Sequence, residues 1–166
     1  PEPERTDRYG NDEIGEGAGE RGLCAGGDIR GLHDSSKAGG DLGPVFWREE
    51  YILNARIADF PKPYVAYMDG LVMGGGVGLS AHSAHRVVTD KTKMAMPEVS
   101  LGFFPDVGGT WLLARAPGEI GTYFGLTGLT MSGADAVYAG TADVLIDTSN
   151  WPALRDALTN APLKAT

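Results

Sequence analysis

Apolar residues recur at helical spacing across residues 45–58 and form short uninterrupted runs further along the chain. In the first of these segments the apolar positions include Val45, Phe46, Ile52 and Ile57, a spacing that predicts a helix with one buried face. The short runs predict strands over residues 64–68, 86–89, 93–96 and 144–146, and the first of them favours a strand buried on both faces of a sheet. Around them the pattern predicts further helices over residues 28–37, 79–83, 111–116, 120–127, 134–139 and 152–158. Strands that alternate with helices predict an α/β fold with a parallel sheet.

The balance of charge excludes one large class of partners. The 166 residues contain 22 acidic and 14 basic side chains, which gives a net charge of -8. Because phosphate backbones select basic surfaces, no nucleic-acid partner is predicted. No apolar run approaches the roughly 18 residues that suggest a membrane span, so no membrane partner is predicted either.

The first 21 residues differ in composition from the rest of the chain. Residues 1–21 hold seven acidic side chains and only two sizeable apolar ones, Tyr9 and Ile14. Such a segment buries too little apolar surface to offset the entropy cost of ordering it. We therefore expect residues 1–21 to be disordered and the folded domain to cover residues 22–166.

Cys24 is the sole cysteine, and this bears on the cellular compartment. One cysteine rules out an intrachain disulfide framework and fits a reducing compartment. The N-terminal stretch is acidic and lacks the apolar region of a signal peptide. Together these features predict a cytoplasmic protein. Because no base partner is evident for Cys24, we interpret it as a small buried residue and not as a nucleophile.

Two glycine clusters stand at predicted strand-to-helix transitions, at residues 24–28 and 74–76. The first N–H groups of a helix have no partner within the helix, and glycine lets a ligand oxygen reach them. Two such turns that face each other form an oxyanion hole, which stabilises negative charge on a carbonyl oxygen. The alternative is that the glycines only make tight turns. Asp28, which ends the first cluster, is predicted to cap a helix and not to act in catalysis.

Glu98 and Asp106 each follow a proline within the largely apolar stretch 96–109. Charge is costly in apolar surroundings unless it is used or paired. Two carboxylates beside a polarised carbonyl group can divide the duties of base and acid. The alternative is a solvated loop in which Asp106 caps a helix. His82 and His85 lack a matching set of further ligands, so no metal site is predicted.

Four separated segments carry a family resemblance. They read C-A-G-G-D-I-R at 24–30, P-K-P-Y-V-A at 61–66, M-G-G-G-V-G-L-S at 73–80 and M-P-E-V-S-L-G-F-F-P-D-V-G-G at 96–109. In this order they resemble the crotonase (enoyl-CoA hydratase/isomerase) superfamily. F-W-R-E-E-Y at 46–51, glycine at position 78 and F-P-D-V-G-G at 104–109 resemble its 3-hydroxyisobutyryl-CoA hydrolase branch. The resemblance implies a crotonase-like ββα spiral and hydrolysis of a small 3-hydroxyacyl-CoA thioester.

The resemblance also implies roles for individual residues in catalysis. Gly27 and Gly75 match the two main-chain donors that hold the thioester oxyanion. Glu98 matches the catalytic glutamate of the superfamily, and Asp106 matches the active-site aspartate of the hydrolases.

Substrate-binding positions are implied by the same match. Glu50 matches a substrate-contacting glutamate, and Ala25 matches the position whose carbonyl group meets the CoA adenine. Gly26 and Gly74 are assigned to substrate binding beside them. Coenzyme A is part of the substrate in this interpretation, and no separate cofactor is implied.

Gly78 departs from the pattern of the superfamily's hydratases. Those enzymes carry a glutamate there, and it works with the glutamate that Glu98 matches. The two-glutamate hydratase mechanism is therefore disfavoured, and an enoyl-CoA isomerase that uses Glu98 alone is the alternative enzyme.

The resemblance is incomplete at both ends of the chain. Family members place a β-hairpin, a helix and a strand before the C-A-G-G-D turn, whereas 23 residues precede Cys24 here. We therefore expect a truncated spiral that lacks its N-terminal strands. A second hypothesis is a non-catalytic remnant that binds acyl-CoA or a partner chain. A missing strand exposes a sheet edge, which favours a homo-oligomer.

Overall fold

Within residues 22–160, which the computed structural model describes, seven short strands form two sheets. The strands are β1 Gly22–Cys24, β2 Val65–Met68, β3 Leu71–Met73, β4 His85–Thr89, β5 Lys93–Ala95, β6 Met131–Ser132 and β7 Val144–Ile146. The first sheet has the order β1-β3-β5-β6 and the second the order β2-β4-β7. Neighbouring strands are parallel except β5 and β6. The predicted parallel α/β architecture is thus observed, with one antiparallel edge. The segment predicted to be disordered, residues 1–21, lies outside the described residues.

Seven α-helices in the described part of the chain follow or connect these strands. They are α1 Ile29–Lys37, α2 Leu42–Ala58, α3 Gly75–Ser80, α4 Gly109–Leu113, α5 Ile120–Thr127, α6 Gly133–Tyr138 and α7 Trp151–Asn160. Two short 3₁₀-helices cover Pro97–Leu101 and Thr148–Asn150. Asp28 caps α1 as predicted, because its Oδ1 accepts a hydrogen bond of 2.9 Å from the Gly31 N–H. No helix in the range 22–160 is long and apolar enough to cross a membrane.

The chain passes from the second sheet to the first at the corner between β2 and β3. The Thr92 hydroxyl group donates to the Met68 carbonyl oxygen at 2.6 Å, and the Lys93 N–H donates to the Gly70 carbonyl oxygen at 2.8 Å. Thr89 Oγ1 donates to the carboxylate of Asp69. These bonds lock the β4–β5 corner to the β2–β3 corner, so the ends of the strands that follow are held in fixed positions.

The hydrophobic core draws on both sheets and on helices α3 to α6. Its most deeply buried large side chains, each at most 1 % exposed, are Met68, Val72, Val88, Met94 and Met131. Complete burial of one such side chain stabilises a fold by about 1.5–3 kcal/mol. The core therefore holds the strands from which the glycine turns emerge.

Three local features differ from the sequence-based predictions. The strand predicted to be buried on both faces is open on one, where Tyr67 is half-buried and stacks on Trp151 with ring centroids 3.7 Å apart. Strands β3 and β6 were not predicted, since segments of two or three residues are too short to show a period. Residues 75–78 were predicted as a turn but lie in α3, so Gly74 alone makes the turn, with φ at 52°.

Candidate active site

The two glycine turns lie at the same edge of the first sheet. β1 and β3 are parallel neighbours, so the turns that follow them, before α1 and before α3, emerge side by side. A Cβ atom built on Gly75 would lie 3.9 Å from the Gly27 nitrogen, and one built on Gly26 would lie 3.9 Å from the Gly75 nitrogen. Main-chain nitrogens of both turns therefore border one space.

A cavity of about 190 Å³ opens beside these turns. Its wall includes Gly26, Gly27, Gly75, Cys24 and Phe46. The buried ring of Phe46 packs so closely that its Cζ lies 2.8 Å from the position of a Cβ on Gly27. Cys24 is half-buried and lines the cavity, so its interpretation as a small buried residue is only half right. Glycine at these positions leaves the main chain open to a ligand.

Glu50 enters the cavity from α2. Its Oε1 lies 2.8 Å from the position that a Cβ would take on Gly75. Burial, then the charge of Asp106 and then that of Glu98 raise the pKa of Glu50 from 4.5 to about 7. This carboxyl group therefore changes its protonation state near neutral pH.

Glu98 lies on the 3₁₀-helix Pro97–Leu101 and is 7 % exposed. Because β5 pairs with β3, this helix follows β5 beside the start of α3, and Glu98 Oε1 lies 2.9 Å from the position of a Cβ on Gly74. The other oxygen, Oε2, is buried and has no hydrogen-bond partner among residues 22–160. Burial is the largest cause that raises the pKa of Glu98, and the charge of Asp106 adds to it. The alternative of a solvated glutamate is therefore wrong.

Asp106 is half-buried in the segment before α4. Its Oδ2 accepts a hydrogen bond of 3.1 Å from the Tyr51 hydroxyl group. Burial raises the pKa of Asp106, and the bond from Tyr51 opposes that rise. The residue that caps α4 is Gly108, so the alternative that Asp106 caps this helix is wrong. Glu50, Glu98 and Asp106 form one electrostatically coupled group, which we call the acidic triad.

The loop that carries Asp106 is held by His82. The His82 Nε2–H donates to the Val107 carbonyl oxygen at 2.6 Å. Val107 is buried with φ at 44°, a backbone conformation that is rare for β-branched residues. His82, interpreted from the sequence as an ordinary histidine, thus fixes a strained position next to Asp106.

Position 78 has no room for a side chain. A Cβ on Gly78 would lie 2.7 Å from Val107 Cβ and 2.8 Å from Asn54 Nδ2. Both distances are shorter than those at which real Cβ atoms meet their neighbours. A carboxylate there would need both neighbours to move.

Comparison with known proteins decides the family. The sequence profile of the enoyl-CoA hydratase/isomerase family matches residues 11–165. The chain belongs to this family. It is 49 % identical over 142 residues to a protein of Xenopus tropicalis named "3-hydroxyisobutyryl-CoA hydrolase, mitochondrial", a match that covers 86 % of this chain and 37 % of the relative. It is 53 % identical over 126 residues to the protein of the same name from Danio rerio, covering 76 % and 33 %.

Solved structures of the family establish the fold. An enoyl-CoA hydratase from Rhodobacter sphaeroides 2.4.1 superposes with a TM-score of 0.82 at 51 % identity, covering 88 % of this chain and 44 % of the other. A carnitinyl-CoA dehydratase from Mycobacterium thermoresistibile gives 0.82 at 57 % identity, covering 85 % and 42 %. The predicted crotonase-like fold is confirmed, and it is incomplete as predicted. The chain spans about a third of the length of the curated relatives it matches.

The predicted cytoplasmic location is contradicted by these relatives, whose names place them in mitochondria. The prediction used a low cysteine content and the lack of an apolar N-terminal stretch. A low cysteine content reports only a reducing environment. Mitochondrial transit peptides are amphipathic and rich in arginine, so a search for an apolar stretch does not find them.

The structure brings together most of the residues that family resemblance assigned, and it adds others. Of the four assigned to substrate binding, Gly26, Gly74 and Glu50 border the glycine turns, whereas Ala25 is exposed at the surface. Tyr51 and Asn54 were missed. For Asn54 the available signal was its spacing, since it follows Glu50 by four positions on a helix and therefore shares a face with it. Tyr51 follows Glu50 by one position, and its contact with Asp106 gave no local signal.

Proposed function

We propose that this chain carries the active site of a thioesterase that hydrolyses a small 3-hydroxyacyl-CoA. The observation that carries the proposal is the meeting of two glycine turns with the acidic triad around Gly74 and Gly75. The names of the relatives, 3-hydroxyisobutyryl-CoA hydrolases, support this substrate class.

The glycine turns supply the oxyanion hole of the proposed site. The thioester oxygen accepts hydrogen bonds from the N–H groups of Gly27 and Gly75. Attack on the carbonyl carbon places negative charge on that oxygen, and main-chain donors held in position stabilise it without reorganisation. The cavity beside the turns receives the acyl group.

The acidic triad supplies the proton transfers or the nucleophile. Glu98 either removes a proton from the attacking water or attacks the carbonyl carbon itself, in which case water later cleaves the acyl–enzyme anhydride. In both routes the carbon–sulfur bond breaks, and Asp106 orients the water or delivers the proton that the CoA thiolate takes up. Tyr51 positions Asp106 through their hydrogen bond.

The remaining assigned residues bind the substrate. Glu50 contacts the hydroxyl group of the acyl chain, and the main chain of Ala25, Gly26 and Gly74 contacts the coenzyme A portion. Coenzyme A enters and leaves as part of the substrate, and the proposed reaction uses no separate cofactor.

A hydratase or isomerase is the second candidate, because two solved relatives carry the names of an enoyl-CoA hydratase and a carnitinyl-CoA dehydratase. The crowding of Gly78 by Val107 and Asn54 speaks against a second glutamate at that position. Hydrolysis needs no carboxylate there, so the geometry favours the thioesterase over the two-glutamate hydratase, whereas an isomerase that uses Glu98 alone is unaffected by this crowding.

Two assays on the purified chain test the proposal. Release of CoA thiol from 3-hydroxyisobutyryl-CoA, followed with a thiol-reactive dye, is expected. Addition of water to crotonyl-CoA, followed by loss of enoyl-thioester absorbance, is not expected. Hydration without thiol release would favour the second candidate, and a chain that binds acyl-CoA but does neither would be the non-catalytic remnant. The homo-oligomer stays a prediction, which size-exclusion chromatography tests in the same sample.

A further inference from the structure

Asn54 presents a buried amide group that the proposed reaction has not used. The residue is 7 % exposed. Among the residues that the structure describes, neither its Nδ2 nor its Oδ1 has a hydrogen-bond partner. Buried polar groups in folded proteins are nearly always hydrogen-bonded, so an unpartnered amide indicates a group that joins it when the site is filled.

The amide lies along the seam between α2 and α3. Glu50 Oε1 lies 2.8 Å from the position of a Cβ on Gly75, and Asn54 Nδ2 lies 2.8 Å from that of a Cβ on Gly78. Residues four apart on a helix share a face, with Cβ atoms roughly 6 Å apart. The seam therefore presents a carboxyl group beside the oxyanion turn and an amide group one helical turn further along.

This spacing matches the substrate that the proposed function names. In a 3-hydroxyacyl thioester the hydroxyl-bearing carbon is two bonds from the carbonyl carbon. When Gly27 and Gly75 hold the carbonyl oxygen and the acyl chain follows the seam, the hydroxyl group falls between Glu50 and Asn54. We infer that Asn54 selects this hydroxyl group: its Nδ2–H donates to the hydroxyl oxygen, which in turn donates its proton to Glu50. The inference rests on the proposed function and names the feature of the acyl chain that the site recognises.

Val107 lies beside the amide at Gly78. Its Cβ lies 2.7 Å from the position of a Cβ on Gly78, and its φ of 44° is unfavourable for a β-branched residue. Asn54, Val107 and Trp111 also line a cavity of about 340 Å³, so open space lies beside the buried amide.

The opposing explanation is that Asn54 only fills space against Gly78. Asn54→Leu separates this explanation from recognition of the hydroxyl group, because the leucine side chain is close in size to that of asparagine and forms no hydrogen bonds. Gly78→Ala is a second variant, since its methyl group meets both Val107 Cβ and the Asn54 amide and so displaces the amide without changing its chemistry. Asn150→Leu, at an exposed asparagine away from the site, is the matched control. Thermal unfolding verifies that each variant is folded, and Asn54→Leu should not lower the unfolding temperature.

The probes are two ketone analogues of acyl-CoA that cannot be hydrolysed, one with the 3-hydroxyl group and one without it. Calorimetry should show that the unmodified chain prefers the hydroxylated analogue by roughly ten-fold, as expected for one buried hydrogen bond. Asn54→Leu should reduce that preference to less than two-fold and leave the affinity for the other analogue unchanged, and Gly78→Ala should reduce the preference as well. Asn150→Leu should keep the full preference.

The outcomes separate this inference from the proposed function. If a folded Asn54→Leu variant keeps the full preference for the hydroxylated analogue, the inference is overturned. Equal binding of both analogues by the unmodified chain also overturns it, and in that case the amide binds a water molecule. If the unmodified chain prefers the hydroxylated analogue and Asn54→Leu abolishes that preference, the inference about Asn54 is supported. Absence of thiol release in the same chain would overturn only the proposed function. A chain that binds neither analogue overturns both.

Discussion

The carboxyl group of Glu50 lies against the unsubstituted Cα of Gly75: its Oε1 is 2.8 Å from the position that a Cβ atom would take on Gly75. This geometry places a carboxyl group of α2 beside the main chain of Gly75, at the start of α3. Both groups border the same cavity. The chemistry of the site depends on this closeness, because any side chain at Gly75 must displace Glu50.

Gly75→Ala is therefore expected to abolish thiol release. The added methyl group meets Glu50 and projects toward the Gly27 nitrogen, 3.9 Å away, so it blocks the approach of the carbonyl oxygen. We expect kcat/KM to fall by at least roughly 100-fold, the effect of losing one oxyanion donor. Gly125→Ala on α5 is the control, since its nearest neighbour would lie at 3.3 Å and is a leucine side chain. A Gly75→Ala variant with normal turnover would falsify the assignment of the oxyanion hole.

Glu98→Gln should remove most hydrolysis and leave CoA binding nearly intact. Glutamine has the same shape but is a poor base and a poor nucleophile, and the loss should reach about 10²–10⁴-fold. Asp106→Asn should behave similarly, whereas Glu119→Gln, at an exposed position, should not. Full thiol release by Glu98→Gln contradicts the mechanism. Label in Glu98 after one turnover in ¹⁸O water, detected by mass spectrometry, would establish direct attack, because water enters the Glu98 carboxyl group only when it cleaves the anhydride at that carbon.

The sequence predicted the local elements and the acidic residues of the triad better than the contacts between elements. Local patterns located α5 and β7 at the residues where they lie, because turn residues bound both segments. Motif resemblance found Glu98 and Asp106. Neither approach found the contact of Asn54 with Gly78, since a contact between two helices depends on how the chain packs and not on the spacing within one element. The raised pKa of Glu50 was likewise beyond prediction, because it arises from burial and from charges 48 and 56 positions away.

The pKa of Glu50 predicts a pH dependence of stability. Burial and the neighbouring acids raise it from 4.5 to about 7 in the folded state, so between these values the folded chain binds more protons than the unfolded chain. Stability then falls as pH rises, and the contribution of the protonated form is lost above about pH 7. Denaturant unfolding at pH 5 and pH 8 should show this decline, and Glu50→Gln should show a smaller one. Equal declines in the two proteins would contradict the raised pKa of Glu50, whose largest cause is burial.

Asp28 is expected to stabilise α1 without taking part in the reaction. Its Oδ1 accepts from the Gly31 N–H at 2.9 Å, a bond that asparagine can also accept. Asp28→Asn should therefore keep both stability and turnover, whereas Asp28→Ala should lower the free energy of unfolding by about 1 kcal/mol. Urea unfolding and thiol release measure the two effects. If Asp28→Asn folds normally but loses most turnover, the residue has a catalytic role.

Gly78→Glu tests whether position 78 could ever serve a hydratase. The substitution supplies the carboxylate that hydratases of the superfamily carry, but its Cβ would lie 2.7 Å from Val107 Cβ and 2.8 Å from Asn54 Nδ2. Overpacking of this kind costs about 1–3 kcal/mol, and a buried charge beside the acidic triad adds to that cost. We expect a lower unfolding temperature, loss of thiol release and no addition of water to crotonyl-CoA. Ala84→Glu, which adds the same charge at an exposed position just after α3, should change none of these. A stable Gly78→Glu variant that hydrates crotonyl-CoA would show that Val107 and Asn54 yield readily, and that the crowding at this glycine does not separate hydrolysis from hydration.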